Sequence, residues 1–304
     1  MKEIRLDLKP LMRKAFIMAK KDIAGSQEKQ TGSGKRQVGS RRAIFGSKGV
    51  EFEKFRDFVP GEDAGRIDWI ASFRAKKTLI RIYSEEQNKD ILFFLDVSSS
   101  MSYASHDKLK NEYAAELVAT LSYALADSGD NIGLMMFTDR LSNIIPPAAG
   151  KRQFMKIVRE LTNPIYYEGP CDFGRAISQL MNYQKRPALV IIISDFLGLK
   201  KGWEEIFKTF SSARYEIVGI MVRDPLDDAF PPGHHIGQIV ISDPFSKDQI
   251  LMDPNRIAEK YKKYNEEQLE HIRYMFHMTQ STFIVLHTDE PFVEKLRKVL
   301  FRGK

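Results

Sequence analysis

From residue 89 onward the apolar positions of the chain fall into two alternating rhythms. Short apolar runs at 91–95, 132–137, 189–193 and 283–286, together with 216–222, which is apolar after Glu216, predict strands buried on both faces. Between them the spacing lengthens. Leu109, Tyr113, Leu117, Leu121 and Leu125 stand four apart and predict a helix over 108–126. Further helices are predicted at 152–161, 173–183 and 203–211. A long one is marked by Ile257, Tyr261, Tyr264, Gln268, Ile272 and Met275, and a last one closes the chain at 292–300. Residues 78–83 and 142–145 read as short strands, and 238–241 with 249–252 as a hairpin inside the loop-rich stretch 224–254. Upstream, Leu8, Leu11, Met12, Ala15 and Ala19 predict an amphipathic helix over 7–20 that docks on the main domain. Buried strands alternating with helices predict an α/β fold: a doubly wound, mostly parallel sheet with an N-terminal extension and a loop-rich hairpin insertion.

In such sheets ligands bind outside the carboxyl ends of the strands, so the loops following strands carry the candidate chemistry. The first buried strand ends in Asp96-Val97-Ser98-Ser99-Ser100, and a later one in Ser194-Asp195. A carboxylate and two hydroxyls at i, i+2 and i+4 can converge on one point, and oxygen donors suit a hard cation such as Mg²⁺. Ser100 can instead cap the helix that follows, which accounts for one serine and not for the set. A third loop runs from Glu168 through Gly169, Pro170, Cys171 and Asp172 to Gly174.

The D-x-S-x-S loop after a buried first strand, with a later strand ending in Asp, resembles the metal-ion-dependent adhesion site of von Willebrand factor A domains. The resemblance implies that Asp96, Ser98, Ser100 and Asp195 hold the ion. It places Cys171 where the family has a Thr, with Asp172 as a substitute oxygen donor. A thiol is a poor partner for Mg²⁺, so any Mg²⁺ is expected to bind weakly or not at all. Just upstream, residues 55–69 read F-R-D-F-V-P-G-E-D-A-G-R-I-D-W, followed by Ser72-Phe73-Arg74. This is similar to the signature of the bacterial family known as domain of unknown function 58, with Phe58, Glu62, Gly65 and Phe73 as departures. That resemblance implies a MoxR-type AAA+ ATPase as partner and a chaperone-like role in assembling or activating a client protein. Physically the segment reads as a brace: Arg56, Gly61 at a turn, and Asp63, Arg66, Asp68 and Arg74 as an ion-pair lattice around a buried Trp69.

Charge changes the picture only at the N-terminus. Residues 1–60 carry 15 Lys/Arg against 7 Asp/Glu, whereas the rest of the chain is nearly balanced at 32 against 33. Phe45 is the one aromatic among the basic residues between Lys29 and Lys48, too few to offer a run of stacked bases. Sequence-specific nucleic-acid binding is not expected, and the basic segment leaves room for peripheral membrane contact. Gly32-Ser33-Gly34-Lys35-Arg36 is no phosphate loop, because the pattern requires Gly where Lys29 stands and Ser or Thr where Arg36 stands. One cysteine, Cys171, permits no intrachain disulfide and fits a reducing, cytoplasmic setting. The longest apolar runs fall far short of the roughly 20 residues of a membrane span. The division expected is a basic extension with the brace at 1–87 and a von Willebrand factor A-like domain at 88–304. A protein-binding module is the reading favoured. The alternative is a Mg²⁺-dependent, phosphatase-like hydrolase using Asp96, Asp172 and Asp195, but such enzymes use D-x-D, and Ser98 stands at the second acid's position. No enzymatic activity is therefore expected.

Residues 25–49 hold six Gly and six Lys/Arg against the single acid Glu28, a composition that cannot bury a core. Limited trypsin digestion of the native protein is expected to cut there first. First cleavage within 90–222 would contradict this map.

Overall fold

A computed structural model describes residues 4, 6–7, 9–15, 51–59, 61–63, 65, 67–84, 90–230, 237–246 and 248–300. The glycine-rich basic segment and Arg66 lie outside the described residues. The chain divides differently from the two-part map above. Residues 1–44 group with 89–304 in a large unit, and 45–88 form a small one.

The large unit is built on the strands the apolar runs marked. They are β3 (Asp90–Asp96), β4 (Asn131–Phe137), β5 (Leu141–Ala148), β6 (Ala188–Ser194), β7 (Tyr215–Arg223) and β10 (Thr282–His287). Their order across the sheet is β10-β7-β6-β3-β4-β5. Every neighbouring pair is parallel except the edge pair β4–β5, which is antiparallel. Counted along this sheet, the order is 3-2-1-4-5-6, the doubly wound arrangement. Its direction reverses between the first and fourth strands, here β3 and β6, so the switch point lies where Asp96 and Asp195 sit.

Alternation along each strand sends side chains to both faces. Leu92 and Phe94 of β3, Met135 and Phe137 of β4, and Val190 and Ile192 of β6 pack with residues of α5 (Phe173–Tyr183), α6 (Trp203–Ser211) and α8 (Pro254–Met278). Phe94 and Phe137 stack with ring centroids 4.1 Å apart. The opposite face is covered in part by α3 (Lys110–Ser128), most of whose residues are buried. Its apolar ring is nearly complete, which is why four-residue spacing alone located it. The other connecting helices are α4 (Lys151–Leu161), the short α7 (Pro225–Asp228), which the sequence did not suggest, and α9 (Phe292–Leu300). The hairpin expected in 224–254 is β8 (Ile239–Ser242) paired with β9 (Gln249–Met252). Among the described residues no helix is long and apolar enough to cross a membrane.

Residues 9–15 form a helix, α1, that docks on the large unit as its amphipathic spacing indicated. Leu11 and Ala15 are buried, and Lys14 reaches Glu116 of α3 at 3.1 Å while lying over the ring of Phe292.

The small unit contains β1 (Glu51–Asp57) paired antiparallel with β2 (Leu79–Ser84), joined through the short helix α2 (Trp69–Ala75). Here the brace takes a different form from the one expected. Asp68 caps α2, accepting from the amides of Ile70 and Ala71 at 3.0 Å. Ser72 anchors the helix to β2 by bonding the backbone of Leu79. Gly61 adopts φ +106°, a conformation suited to glycine at a turn. Asp63 accepts from the amide of Gly65, and Arg56 pairs with Glu62 at 2.6 Å. Trp69, expected to be buried, is 69% exposed, and Ile70, Phe73 and Arg74 are exposed with it. The reason is geometric. A seven-residue helix on a two-stranded ribbon has one buried position, and Ser72 occupies it.

Glu116 is half-buried between Lys14 and Lys108. Burial alone would raise its pKa, but the two ammonium groups outweigh it and hold the carboxyl below its ordinary 4.5. A depressed carboxyl contributes stability above its unfolded pKa and loses it as pH falls through the folded value. Protection of the amides in residues 9–15, measured as exchange corrected for its intrinsic pH dependence, is therefore expected to be high at neutral pH and to fall as pH drops below about 4.5. In Glu116→Gln, exchange should be fast already at neutral pH. An Asp96-loop peptide should not respond in step.

Candidate functional site

The carboxyl ends of β3 and β6 are neighbours in the sheet, so their terminal residues meet. Asp96, Ser98, Ser100 and Asp195 converge as the spacing indicated, and all four are buried. The amide of Ser98 donates to Asp96 Oδ1 at 2.9 Å, an Asx turn that shapes the loop. Ser98 Oγ and Ser100 Oγ lie 3.2 Å apart. Ser100 Oγ donates to Asp195 Oδ1 at 3.1 Å, closing the circuit between the two strands.

The third loop is fastened onto the first. The amide of Ser99 donates to the carbonyl of Gly169, and the amide of Gly169 donates back to Ser99 Oγ, each at 3.0 Å. The amide of Glu168, a residue at φ +78°, donates to the carbonyl of Val97 at 2.9 Å. These bonds bring Cys171 Sγ to 3.8 Å from Asp96 Oδ2. Behind the thiol stands Gly198, where an added Cβ would fall 2.3 Å from Sγ. The close approach of these two loops requires glycine there.

Asp172 does not join the set. Its Oδ1 accepts from the amide of Arg175, capping α5, and its Oδ2 pairs with Lys200 at 3.0 Å. A helix N-terminus draws a carboxylate to its free amides, and that pull turns Asp172 away from Asp96.

Residues beyond the expected set complete the centre. Ser194 Oγ donates to Asp96 Oδ2 at 2.6 Å and accepts from the amide of Phe196 at 2.9 Å. Phe196 holds the left-handed conformation at φ +55°, with its ring edge-on to Phe173 and Phe276 in the core. Lys110, the first residue of α3, is 1% exposed. Its ammonium lies 2.7 Å from Asp195 Oδ2 and 3.2 Å from Asp227 Oδ2. Asp224, also buried, accepts from the amides of Ser105 and Leu226 and holds the β7 corner against the loop before α3. The sequence held one signal for Lys110: a cation in the first turn of a helix opposes the dipole and so calls for acidic partners.

The electrostatics follow from this packing. Burial, reinforced by the charge of Asp195, raises the pKa of Asp96 to about 6 against the hydrogen bonds of Ser194 and Ser98. Burial likewise pushes the Cys171 thiol up, with Asp96 and Asp195 adding to it. A thiol held protonated is a weak nucleophile. Burial would lower the pKa of Lys110, but Asp195 and Asp227 outweigh it and raise it, so the amine stays charged and is no base. The arrangement can hold shape, and can present what surrounds it. Tyr103, Ile165 and Leu197 are exposed on the loops that follow β3, precede α5 and follow β6.

The family described as Protein of unknown function DUF58 matches residues 54–271. Uncharacterized protein Mb1516 of Mycobacterium bovis is 25% identical over 199 residues, covering 64% of this chain and 61% of that protein. Uncharacterized protein MAV169 of Mycobacterium avium is 30% identical over 103 residues, covering 33% and 57%. The matches thus span less than two thirds of these relatives. Similar solved structures include the conserved hypothetical protein BatB from Bacteroides thetaiotaomicron, at 13% identity over 70% of this chain and 97% of that one with a TM-score of 0.45. Another is a von Willebrand factor type A from Catenulispora acidiphila, at 14% identity over 48% and 35% with a TM-score of 0.33. With overlaps this low, the description of the fold rests on the strand order and loop geometry given above.

Gly198→Ala is expected to force Cys171 aside and cost about 1–3 kcal/mol, as overpacking does. In a Cys171→Gly background, which removes both the Cβ at 2.2 Å and the Sγ at 2.3 Å, the same change should cost distinctly less. Urea unfolding of the four proteins measures this coupling. Equal costs in both backgrounds would show that the two loops do not press on one another.

Proposed function

Because this chain belongs to the DUF58 family and places a D-x-S-x-S loop at the switch point of a von Willebrand factor A-like sheet, we propose that it is a non-enzymatic protein-binding module. It docks through the loops at the carboxyl ends of β3 and β6. Its partner is a MoxR-type AAA+ ATPase, with which it assembles or activates a client protein.

The observation that carries this reading is a closed polar centre on loops that also carry exposed apolar side chains. Asp96, Ser98, Ser100 and Asp195 are buried and bonded to one another or to Ser194 and Lys110, so they fix the loops that present Tyr103, Ile165 and Leu197. Exposed apolar groups around a rigid centre suit protein association. The chemistry of the centre favours binding over turnover. It offers a charged lysine, a protonated thiol and two carboxylates already engaged, and Ser98 stands where a phosphatase of this loop type would need its acid. Asp172, the third carboxylate of a hydrolase reading, serves α5 and Lys200 instead.

The test is co-purification with a MoxR-type AAA+ ATPase. Leu197→Asp and Ile165→Asp should each weaken capture about tenfold or more, the effect of losing a central apolar contact. Melting temperature should stay near that of the wild type. Asp96→Ala should lose capture by loosening the loops. The purified protein should turn over no generic phosphoester with Mg²⁺ or Mn²⁺. Capture unchanged in all three folded variants would place the docking face elsewhere. Phosphoester turnover abolished by Asp96→Ala would replace this reading with the hydrolase.

A further inference from the structure

The loop pattern implies a divalent cation held by Asp96, Ser98 and Ser100 with Asp195 behind them. The donor set does not fit a hydrated Mg²⁺. Both oxygens of Asp96 already accept: Oδ1 from the Ser98 amide, Oδ2 from Ser194 Oγ and Cys171 Sγ. Both oxygens of Asp195 accept as well: Oδ1 from Ser100 Oγ and the Leu197 amide at 3.1 Å each, Oδ2 from Lys110. Mg²⁺ demands six oxygens in near-octahedral order and keeps several waters, yet Asp96, Ser98, Ser100 and Asp195 are all shut off from solvent. The donor from the third loop is a thiol, and its neighbouring carboxylate points away.

We propose that Lys110 is the resident cation of this site: its buried ammonium supplies at Asp195 the positive charge that a metal ion would bring, and the docking loops keep their shape without a divalent ion. The surroundings of Lys110 are those of a cation site. Two carboxylates, Asp195 and Asp227, converge on it at 2.7 and 3.2 Å. The ring of Tyr103 lies 5.9 Å from it. The carbonyl of Tyr103 accepts from the Lys110 amide at 3.1 Å. Asp227 is itself fixed, accepting from the amide of Asp224 at 2.9 Å. The ammonium thereby ties three segments together: the end of β6, the start of α3 and the β7–α7 corner. A fixed positive charge in a buried site repels a second cation far more than it would in water. Metal exclusion is thus assigned to the ammonium first and to Cys171 second. This inference rests on the docking reading only for what the loops are used for; the charge assignment stands on the side chains.

The experiment uses the purified full chain alone, with Mn²⁺ followed by electron paramagnetic resonance and melting followed in Mg²⁺ or EDTA. Wild type, Lys110→Met and Cys171→Thr are compared. Wild type and Cys171→Thr are expected to leave millimolar Mn²⁺ free and to melt at the same temperature in either buffer. Lys110→Met is expected to melt lower, to bind Mn²⁺ roughly tenfold or more tighter than wild type, and to recover part of its melting temperature in Mg²⁺. Micromolar Mn²⁺ binding by wild type would overturn the proposal. So would a folded Lys110→Met without divalent response, or Cys171→Thr binding as tightly as Lys110→Met, which would make the thiol the excluding group. If Lys110→Met does not fold in either buffer, Cys171→Thr decides: no bound Mn²⁺ with Lys110 in place supports the assignment, and tight binding sinks it. No partner enters these measurements, so a failed docking assay leaves their outcome standing. Metal binding here would equally leave the docking loops where they are.

Discussion

Two carboxylates, Asp96 and Asp195, end adjacent parallel strands with almost no access to water. Taking like charges out of water is costly unless each is hydrogen-bonded and paired. The arrangement around the switch point answers this demand. Asp96 is served by an Asx turn, by Ser194 and by the thiol of Cys171; Asp195 is served by Ser100, by a backbone amide and by Lys110. Burial and the charge of Asp195 pull the pKa of Asp96 upward, whereas Asp195 faces the ammonium of Lys110, which it shares with Asp227.

The loops inherit their rigidity from this compensation. The loop before α5 is bonded to the loop after β3 by paired backbone and hydroxyl contacts. The loop after β6 approaches it closely enough that Gly198 is the residue that fits beside Cys171. Phe196 accepts a left-handed backbone conformation there because its ring is fixed in the core beside Phe173, Phe276 and Phe283. Strain of that kind persists only where packing over-determines it. Such a centre keeps its loops in a fixed shape, with its hydrogen bonds made inside.

The small unit follows another logic. Its signature residues act through the backbone: Asp68 caps a short helix, Asp63 and Gly61 shape the turn, and Ser72 fastens helix to strand. A helix so short cannot bury all its large side chains, and Trp69, Ile70 and Phe73 are left exposed.

The sequence by itself determined the sheet strands and most of the helices of the large unit, because parallel strands buried on both faces carry unbroken apolar runs and helices around them a four-residue period. Its i, i+2, i+4 spacing also indicated that Asp96, Ser98 and Ser100 meet, and the resemblance to von Willebrand factor A domains added Asp195 to them. Helix α2 was missed because its apolar residues face outward and mark no buried stripe, and the same exposure misplaced Trp69. Tertiary structure alone decided which donors the two carboxylates receive. Asp172 is adjacent in sequence but is claimed by a helix N-terminus. Lys110 stands 85 residues from Asp195, and its place in the first turn of a helix calls for acidic partners without saying which. Local spacing records which side chains a strand end presents, but the neutralisation of a buried charge is settled by whatever the fold brings within hydrogen-bonding distance.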